Sequence, residues 1–268
     1  MSTLLRTAPL LLLAAVAAGC GGAGTGATPA KTVTTSPALS ERSPRAVLNA
    51  MADALERVDS YRMTGTESDK DGTTRVSSDV AGSGDLRIRL EHAGSVATLL
   101  VVDGTTYVRA NRVFWRSTSG ADPRVAPLIA GRWVLLPAPM AGDLAETIAQ
   151  SRPKNLAYCA RLPAGALTHR GSASVGGRPV VVIADKGDRP GDAPGEISIA
   201  ATGPPLPLRI RQTGPTPAGG ARDPRCTSAN DTTTASDLRL SRFGVPVHLT
   251  APRAVIDPRN LRPGGTAA

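Results

Sequence analysis

Residues 86–110 read LRIRLEHAGSVATLLVVDGTTYVRA, and this stretch has a period of two. It begins by alternating the aliphatic Leu86, Ile88 and Leu90 with charged residues, so that one face of a strand is apolar and the other is charged. Asp103-Gly104 then marks a turn between two further strand patterns. Strands joined by such short turns are antiparallel neighbours, so the pattern predicts a β-meander.

The strand pattern continues on both sides of this stretch. Turn signals at residues 69–72, 82–84, 103–104 and 111–112 divide residues 61–117 into about five strands. The patterning is weaker between residues 122 and 158 and then returns. Outside residues 61–117, strand patterns occur at residues 133–136, 168–175, 179–184, 196–201, 208–211, 238–241 and 245–249.

An amphipathic helix precedes the strands. Ser43-Pro44 is typical of a helix N-cap followed by proline at the first helical position. Leu48, Met51, Leu55 and Val58 then recur at spacings of three and four, which places them on one apolar stripe. A helix of this kind covers the apolar side of a sheet.

These elements predict a mainly β (α+β) fold with about ten strands and three helical pieces, the second helix at residues 143–150. We expect one domain over residues 43–256, followed by a disordered tail at residues 257–268. Because large sheets twist and coil, the strands should form a single curved antiparallel sheet with a few helices packed on its concave face. Complete filling of that hollow gives an ordinary core, whereas partial filling leaves an apolar cavity.

The beginning of the chain has the anatomy of an export signal. Arg6 precedes an apolar run over residues 8–18, which is shorter than the roughly 20 residues that cross a bilayer. The run Val16-Ala17-Ala18-Gly19-Cys20 resembles the bacterial lipobox, although Ala17 stands where a larger aliphatic residue is usual. The alternative is an ordinary secretory signal that contains a cysteine.

We therefore predict a signal peptide at residues 1–19, lipid attachment at Cys20 and a flexible tether at residues 20–42, which are rich in Gly, Ala and Thr. The protein would then be extracytoplasmic, held on the outer face of the cell membrane by its acyl chains. Two or more chains are needed for such an anchor to be stable.

Two cysteines remain after acylation of Cys20. Cys159 and Cys226 are expected to form a disulfide, because an exported protein folds in an oxidising compartment. His92, His169 and His248 are isolated and show no ligand spacing, so we predict no metal site and no cofactor.

The chain is basic, with 31 Lys and Arg against 22 Asp and Glu, a net charge of +9. Basicity indicates acidic partners, which outside the cell are anionic lipid headgroups, wall polymers or acidic glycolipids. Nucleic acid is not expected, because the arginines are scattered and the chain has only three Tyr, two Trp and two Phe for base stacking.

The order of these features resembles the mycobacterial LppX/LprG group of lipoproteins, whose fold is similar to that of LolA and LolB. Beyond the lipobox, the tether and the helix, the resemblance depends on Ser60-Tyr61, on residues 102–107 (VDGTTY) followed by Trp115, on residues 205–210 (PLPLRI) and on residues 238–247 (LRLSRFGVPV). It covers most of the predicted domain as a pattern of hydrophobic residues and turns.

This resemblance implies a half-barrel around a hydrophobic cavity that binds acyl chains of lipids or lipoglycans and helps to move them across the cell envelope. It implies no catalytic residue. The chain departs from the expected pattern in the Cys159 and Cys226 pair and in the Pro/Gly-rich segment at residues 187–195, which affects the ligand more than the fold.

No catalytic motif is complete. Ser151-Arg152-Pro153-Lys154 fits Ser-x-x-Lys, but Pro153 interrupts the helix that this motif needs, and its partner motifs are missing. Residues 204–207 fit Pro-x-x-Pro, which we interpret as a rigid turn before a strand. We therefore predict that the protein is not an enzyme.

The sequence favours a binding module that holds a lipophilic ligand in an apolar cavity. The alternative is an anchored interaction or regulatory protein with a filled core, which acts on another envelope protein through its basic surface. Trp115 and Trp133 are interpreted as core in preference to a ligand mouth. The candidate cavity residues, each of which also suits a plain core, are Leu55, Leu86, Ile88, Leu90, Val101, Tyr107 and Trp115.

Overall fold

The computed structural model describes residues 38–117, 123–137, 150–162, 165–189, 192–217, 223, 225–226 and 233–260. Within these ranges the chain forms twelve strands in one sheet. The strands are β1 (Ser60–Asp69), β2 (Gly72–Ala81), β3 (Leu86–His92), β4 (Ser95–Val102), β5 (Thr105–Ala110), β6 (Trp133–Leu135), β7 (Leu167–Val175), β8 (Arg178–Asp185), β9 (Gly195–Ala200), β10 (Pro207–Gln212), β11 (Ala235–Ser241) and β12 (Val255–Ile256).

The strands are ordered β12-β6-β5-β4-β3-β2-β1-β11-β10-β9-β8-β7. Two meanders, β1–β6 and β7–β11, join in the middle where β11 pairs with β1. All neighbours are antiparallel except β12, which runs parallel to β6. The sheet is curved and does not close into a barrel, with helices packed on its concave side. The predicted fold class is therefore confirmed, as are the five strands of the first meander.

Four α-helices lie in the described residues: α1 (Pro44–Leu55), α2 (Arg112–Ser117), α3 (Ala126–Ile129) and α4 (Pro153–Arg161). Short 3-10 helices lie at Leu39–Glu41 and Pro258–Asn260. The predicted N-cap of α1 is confirmed, because the Ser43 hydroxyl accepts a hydrogen bond of 3.3 Å from the Ala46 amide.

Two helix boundaries differ from the prediction. Asn111 does not turn the chain into another strand; its side-chain oxygen accepts from the Phe114 amide at 3.0 Å and caps α2. Pro153, which the sequence suggested as the end of a helix, is the first residue of α4, where its missing N–H costs nothing. The helix predicted at residues 143–150 lies outside the described residues apart from Gln150.

The strand predicted at residues 245–249 is wrong. These residues have no regular secondary structure, and Pro246 has no N–H to donate to a ladder. The segment is held at the end of β1 instead, where Ser60 accepts a backbone hydrogen bond from Gly244 and donates its hydroxyl to the Val245 carbonyl. The chain then continues to β12, a two-residue strand that the sequence did not indicate.

Two groups of buried side chains make up most of the core. The central cluster comprises Val76, Leu86, Ile88, Ala97, Leu99, Val101, Val108, Ala110, Trp115, Ala126, Ile129 and Val134. The α1 cluster comprises Val47, Leu48, Met51, Ala52, Leu55, Ala157, Val181, Ile183 and Ile199. Full burial of one such aliphatic side chain contributes about 1.5–3 kcal/mol.

Both clusters lie on the same face of the sheet. Residues directly opposite each other in paired strands point to the same side, so a chain of pairs can be followed across the strands. It runs from Ile183 through Ile197, Ile210, Leu238 and Gly65 to Val76. The helices pack on this concave face, α1 and α4 over one half and α2 and α3 over the other.

Cys159 and Cys226 form the predicted disulfide, with their Cα atoms 5.6 Å apart. It ties α4 to a segment 67 residues further along the chain. Beside it, the Tyr158 hydroxyl donates to Asp223 at 2.6 Å, and the Arg225 guanidinium lies 3.7 Å above the Tyr158 ring. Hydrogen bonds from Arg225 and Tyr158 hold the pKa of Asp223 well below its usual range.

Candidate ligand site on the concave face

The concave side of the first meander presents a continuous apolar surface. One row of cross-strand pairs runs over β1–β6 and consists of Met63, Ser78, Ile88, Leu99, Val108 and Val134. A parallel row, two residues along each strand, consists of Gly65, Val76, Leu90, Ala97 and Ala110. Small residues in both rows leave more room above the sheet than larger aliphatic residues would.

Five of the seven predicted cavity residues come together here. Leu86, Ile88, Val101 and Trp115 belong to the central cluster, and Leu90 packs against its edge. Trp115 is buried and meets Phe114 edge to face, with ring centroids 5.2 Å apart, which is a core arrangement.

Two predicted cavity residues lie elsewhere. Leu55 belongs to the α1 cluster, under the other half of the concave face. Tyr107 pairs with Leu100 and Leu135, whereas its neighbour Val108 faces the central cluster, so Tyr107 lies on the convex face. We therefore leave both residues out of the candidate site. Trp133 also lies on the convex face, opposite Arg109.

Ser78 is a polar residue in the middle of the apolar surface. It is 2% exposed, and its hydroxyl has no hydrogen-bond partner among the described residues. Its strand neighbours across the sheet are Met63 and Ile88, both apolar. A buried hydroxyl without a hydrogen-bond partner reduces the free energy of unfolding by about 1–3 kcal/mol. A ligand atom that accepts a hydrogen bond from Ser78 would remove this cost.

Met63 and Leu90 extend the apolar surface toward solvent. Both are only partly buried, although both pack against the central cluster. Among the described helices, the central cluster includes side chains only from α2 and α3, which are six and four residues long. Helices this short cover less of the sheet than the pair α1 and α4.

The half of the concave face under α1 is filled. Val47, Ala52 and Ala157 have no exposed surface. Ion pairs fasten the two helices together, since Arg161 lies 2.5 Å from Asp53 and 2.8 Å from Glu56. This half therefore forms a conventional core and is a poor candidate for a cavity.

Tyr61 lies between the central cluster and the α1 cluster. It is 1% exposed, and its hydroxyl donates to the Ser151 carbonyl of the α4 region at 2.6 Å. Burial raises the pKa of Tyr61 far above its usual value, so the phenol stays neutral. The residue is a buried structural contact between β1 and the segment that precedes α4.

Neither a metal cluster nor a membrane-spanning helix is found in the part of the chain that the structure describes. No three His, Cys, Asp or Glu side chains there are grouped so that they could hold an ion. None of the described helices is long and apolar enough to cross a bilayer.

The comparisons with known proteins identify the fold. No protein-family model matches the chain, and no curated protein matches its sequence. LprF from Mycobacterium bovis aligns with a TM-score of 0.50 and 14% sequence identity, over 78% of this chain and 96% of LprF. This chain has the fold of LprF.

Two further solved structures extend the comparison with LprF. The Mycobacterium tuberculosis lipoprotein LppX aligns with a TM-score of 0.47 and 13% identity over 77% of this chain and 98% of LppX. The LolA superfamily protein NE2245 from Nitrosomonas europaea gives a TM-score of 0.28 and 11% identity over 78% of this chain and 96% of its own. The fold predicted from the sequence resemblance is confirmed by the likeness to LprF.

Several residues of the candidate site on the concave face were not predicted from the sequence. Met63, Ser78, Leu99 and Val108 were not among the candidates, although Val76, Ser78 and Val80 visibly alternate with Ser77 and Asp79 in β2. In β4 all of residues 99–102 are buried, so both faces look apolar and the pattern could not choose between them.

Proposed function

We propose that the protein binds the acyl chains of a lipid or lipoglycan between the concave face of β1–β6 and the helices α2 and α3. The observation that carries this proposal is the apolar surface across six strands, with the unpartnered hydroxyl of Ser78 in its middle. The fold shared with LprF is compatible with this use but does not by itself establish a ligand.

Hydrophobic burial is sufficient for the affinity. Transfer of one methylene from water contributes about 0.8 kcal/mol, so ten methylenes contribute roughly 8 kcal/mol before the cost of association. A lipid with an ester carbonyl could also accept a hydrogen bond from Ser78, which would fix its depth in the site. No side chain needs to perform chemistry, so we propose a non-enzymatic carrier.

We further propose that acylated Cys20 anchors the protein to the outer face of the cell membrane, where it helps lipids across the envelope. Cys20 follows an apolar run and small residues that resemble a lipobox. Replacing Cys20 with alanine should move the protein from the membrane fraction to the soluble fraction. Unchanged membrane association of the Cys20→Ala chain would contradict acylation as the anchor.

Lipid carriage is tested by mass spectrometry of organic extracts. A chain that begins at Gly21 is exported with an ordinary secretory signal and purified without detergent. We expect reproducible lipid at a fixed molar ratio, and uptake of a fluorescent fatty acid after that lipid is removed. Ser78→Leu should lower both, because the larger side chain fills the site.

Ser77→Leu is the matched control for this variant. Ser77 is the adjacent residue of β2, and it faces the convex side opposite Arg89. Its replacement adds the same volume on the wrong face, so lipid content and uptake should remain at the wild-type level. Equal effects of the two variants would show that the apolar surface is not where lipid binds.

An anchored interaction protein with a filled core is the second candidate. It is favoured by the low exposure of the central cluster, in which no member exceeds 8%. Such a protein would act on another envelope component through its basic surface. An extract free of lipid, together with no fatty-acid uptake, would select this function over carriage.

A further inference from the structure

A groove lies on the side of the sheet away from the central cluster. Arg242 and residues 245–249, which follow β11, form one wall, and Arg62, Asp79 and Arg87 of β1–β3 form the other. The groove has a volume of about 160 Å³, several times the roughly 30 Å³ that a water molecule occupies. It is therefore large enough for a phosphate group.

The groove has more positive than negative charge. Asp79 is the only acidic side chain among the described residues that line it, and it is shared by two arginines. Arg62 Nε lies 2.9 Å from one oxygen of Asp79, and Arg87 Nη2 lies 2.6 Å from the other. Arg242 also lines the groove and has no ion pair with any described residue. Three guanidinium groups thus face one carboxylate.

Arg242 adopts a backbone conformation that favours glycine. Its φ is +55°, in the left-handed region that is disfavoured for a side chain as large as arginine. Gly244, two residues on, has a φ of +70°. An arginine in this disfavoured conformation, at the edge of a groove and without an ion pair to a described residue, points to a function beyond folding.

Tyr61, His248 and four apolar residues complete the lining of the groove, which adjoins a second depression. Val245, Pro246, Val247 and Leu249 line the groove, and Val245 is 40% exposed. Pro246 and Val247 also line the neighbouring depression, which has a volume of about 400 Å³ and lies against the β1 and β2 ends. Asp59, Ser60 and Ser83 make the second depression partly polar, so an apolar part attached to an anionic group would contact the wall formed by residues 245–247.

We propose that this arginine groove binds a phosphate ester, with its phosphate held by Arg62, Arg87 and Arg242. Guanidinium groups bind phosphate oxygens through paired N–H donors, which gives both strength and geometry. A phosphate monoester carries a charge of about −1.5 to −2 near pH 7 and would balance the excess of positive charge. The ester belongs either to a lipid headgroup or to a free phosphorylated solute.

The test is isothermal titration calorimetry on the full chain in an uncharged detergent. The probes are dihexanoylphosphatidic acid, the uncharged dihexanoylglycerol and inorganic phosphate. We expect phosphatidic acid to bind at least about tenfold more tightly than dihexanoylglycerol. The affinity for inorganic phosphate then separates the two sources. An affinity within about threefold of that for phosphatidic acid identifies a soluble phosphorylated ligand. An affinity more than about tenfold weaker than that for phosphatidic acid identifies a lipid headgroup.

Arg87→Gln and Arg89→Gln form a matched pair of variants. Both arginines lie on the same face of β3 with similar exposure, 51% and 52%, but Arg89 pairs with Glu91 and does not line the groove. We expect Arg87→Gln to weaken phosphatidic acid binding about tenfold, equivalent to about 1.4 kcal/mol, and Arg89→Gln to weaken it less than twofold. Equal losses would overturn the proposal, because they would reflect net charge alone.

Arg242→Gly separates binding from folding. Glycine suits the left-handed backbone at this position, so the melting temperature should not fall, whereas phosphate affinity should fall about tenfold. Phosphatidic acid that binds no better than dihexanoylglycerol would also overturn the proposal. The groove and the central cluster lie on opposite faces, so a negative result in the lipid extracts leaves this test valid.

Discussion

Replacing Ser78 with alanine should stabilise the ligand-free protein. The Ser78 side chain is 2% exposed, lies among apolar residues and has no hydrogen-bond partner among the described residues. Folding therefore removes its hydroxyl from water without compensation, at a cost of about 1–3 kcal/mol.

The substitution also leaves a small void where the oxygen was. At about 24 cal/mol per Å³, a void of roughly 10–15 Å³ costs about 0.3 kcal/mol. We therefore expect a net gain of about 0.7–2.7 kcal/mol, which corresponds to about 1–11 °C in melting temperature for a domain of this size.

The assay is urea unfolding of delipidated protein, followed by circular dichroism. Ser77→Ala is the control, since Ser77 faces the convex side and its replacement should change stability by less than about 0.5 kcal/mol. A loss of stability in Ser78→Ala would refute the reasoning, because it would mean that the hydroxyl makes a favourable hydrogen bond. In lipid-loaded protein the gain should shrink if the hydroxyl donates to the ligand.

Three further outcomes can be measured by unfolding experiments. Reduction of the Cys159–Cys226 disulfide, which spans 67 residues, should cost about 4 kcal/mol of the free energy of unfolding, and an unchanged urea midpoint would contradict this. Gly65→Ala should cost about 1–3 kcal/mol or more, because the added methyl group would overlap the backbone carbonyl of β11; a wild-type midpoint would contradict that overlap. The pKa of Asp237 is lowered by its hydrogen bonds to Arg209, so stability from this pair is present above pH 4 and is lost as the pH falls below it. Asp237→Asn should therefore flatten the acid limb of the stability curve, and an identical limb would exclude the pair as its cause.

Most of the architecture could be predicted from the sequence, because hydrophobic alternation and helix capping are local properties. The pattern around Leu86 and Ile88 predicted the meander, and Ser43-Pro44 predicted the beginning of α1. The cysteine pair was predicted from the expected export of the protein and from the count of cysteines, and the structure contains it. Pro153 was ambiguous because proline suits both the residue after one helix and the first residue of the next.

The candidate sites depended much more on the tertiary structure. Tyr107 lies on the same face of β5 as Arg109, and this charged neighbour could have excluded Tyr107 from the cavity candidates. In β4, by contrast, the run of buried residues has no polar face, so the sequence does not show which residues face the helices. Ser78 became notable only when both neighbouring strands were in place, since the absence of a partner is a property of the surroundings.

The sequence alone determined which segments form strands and helices, the excess of positive charge and the cysteines available for a disulfide, because these depend on residue types and short-range spacing. Only the tertiary structure decided that residues 242–249 lie beside Arg62 and Arg87, that β12 joins β6 and which apolar residues share the concave face. Each of these depends on pairing between segments far apart in the chain, whose register is set by packing and backbone hydrogen bonds across the whole sheet.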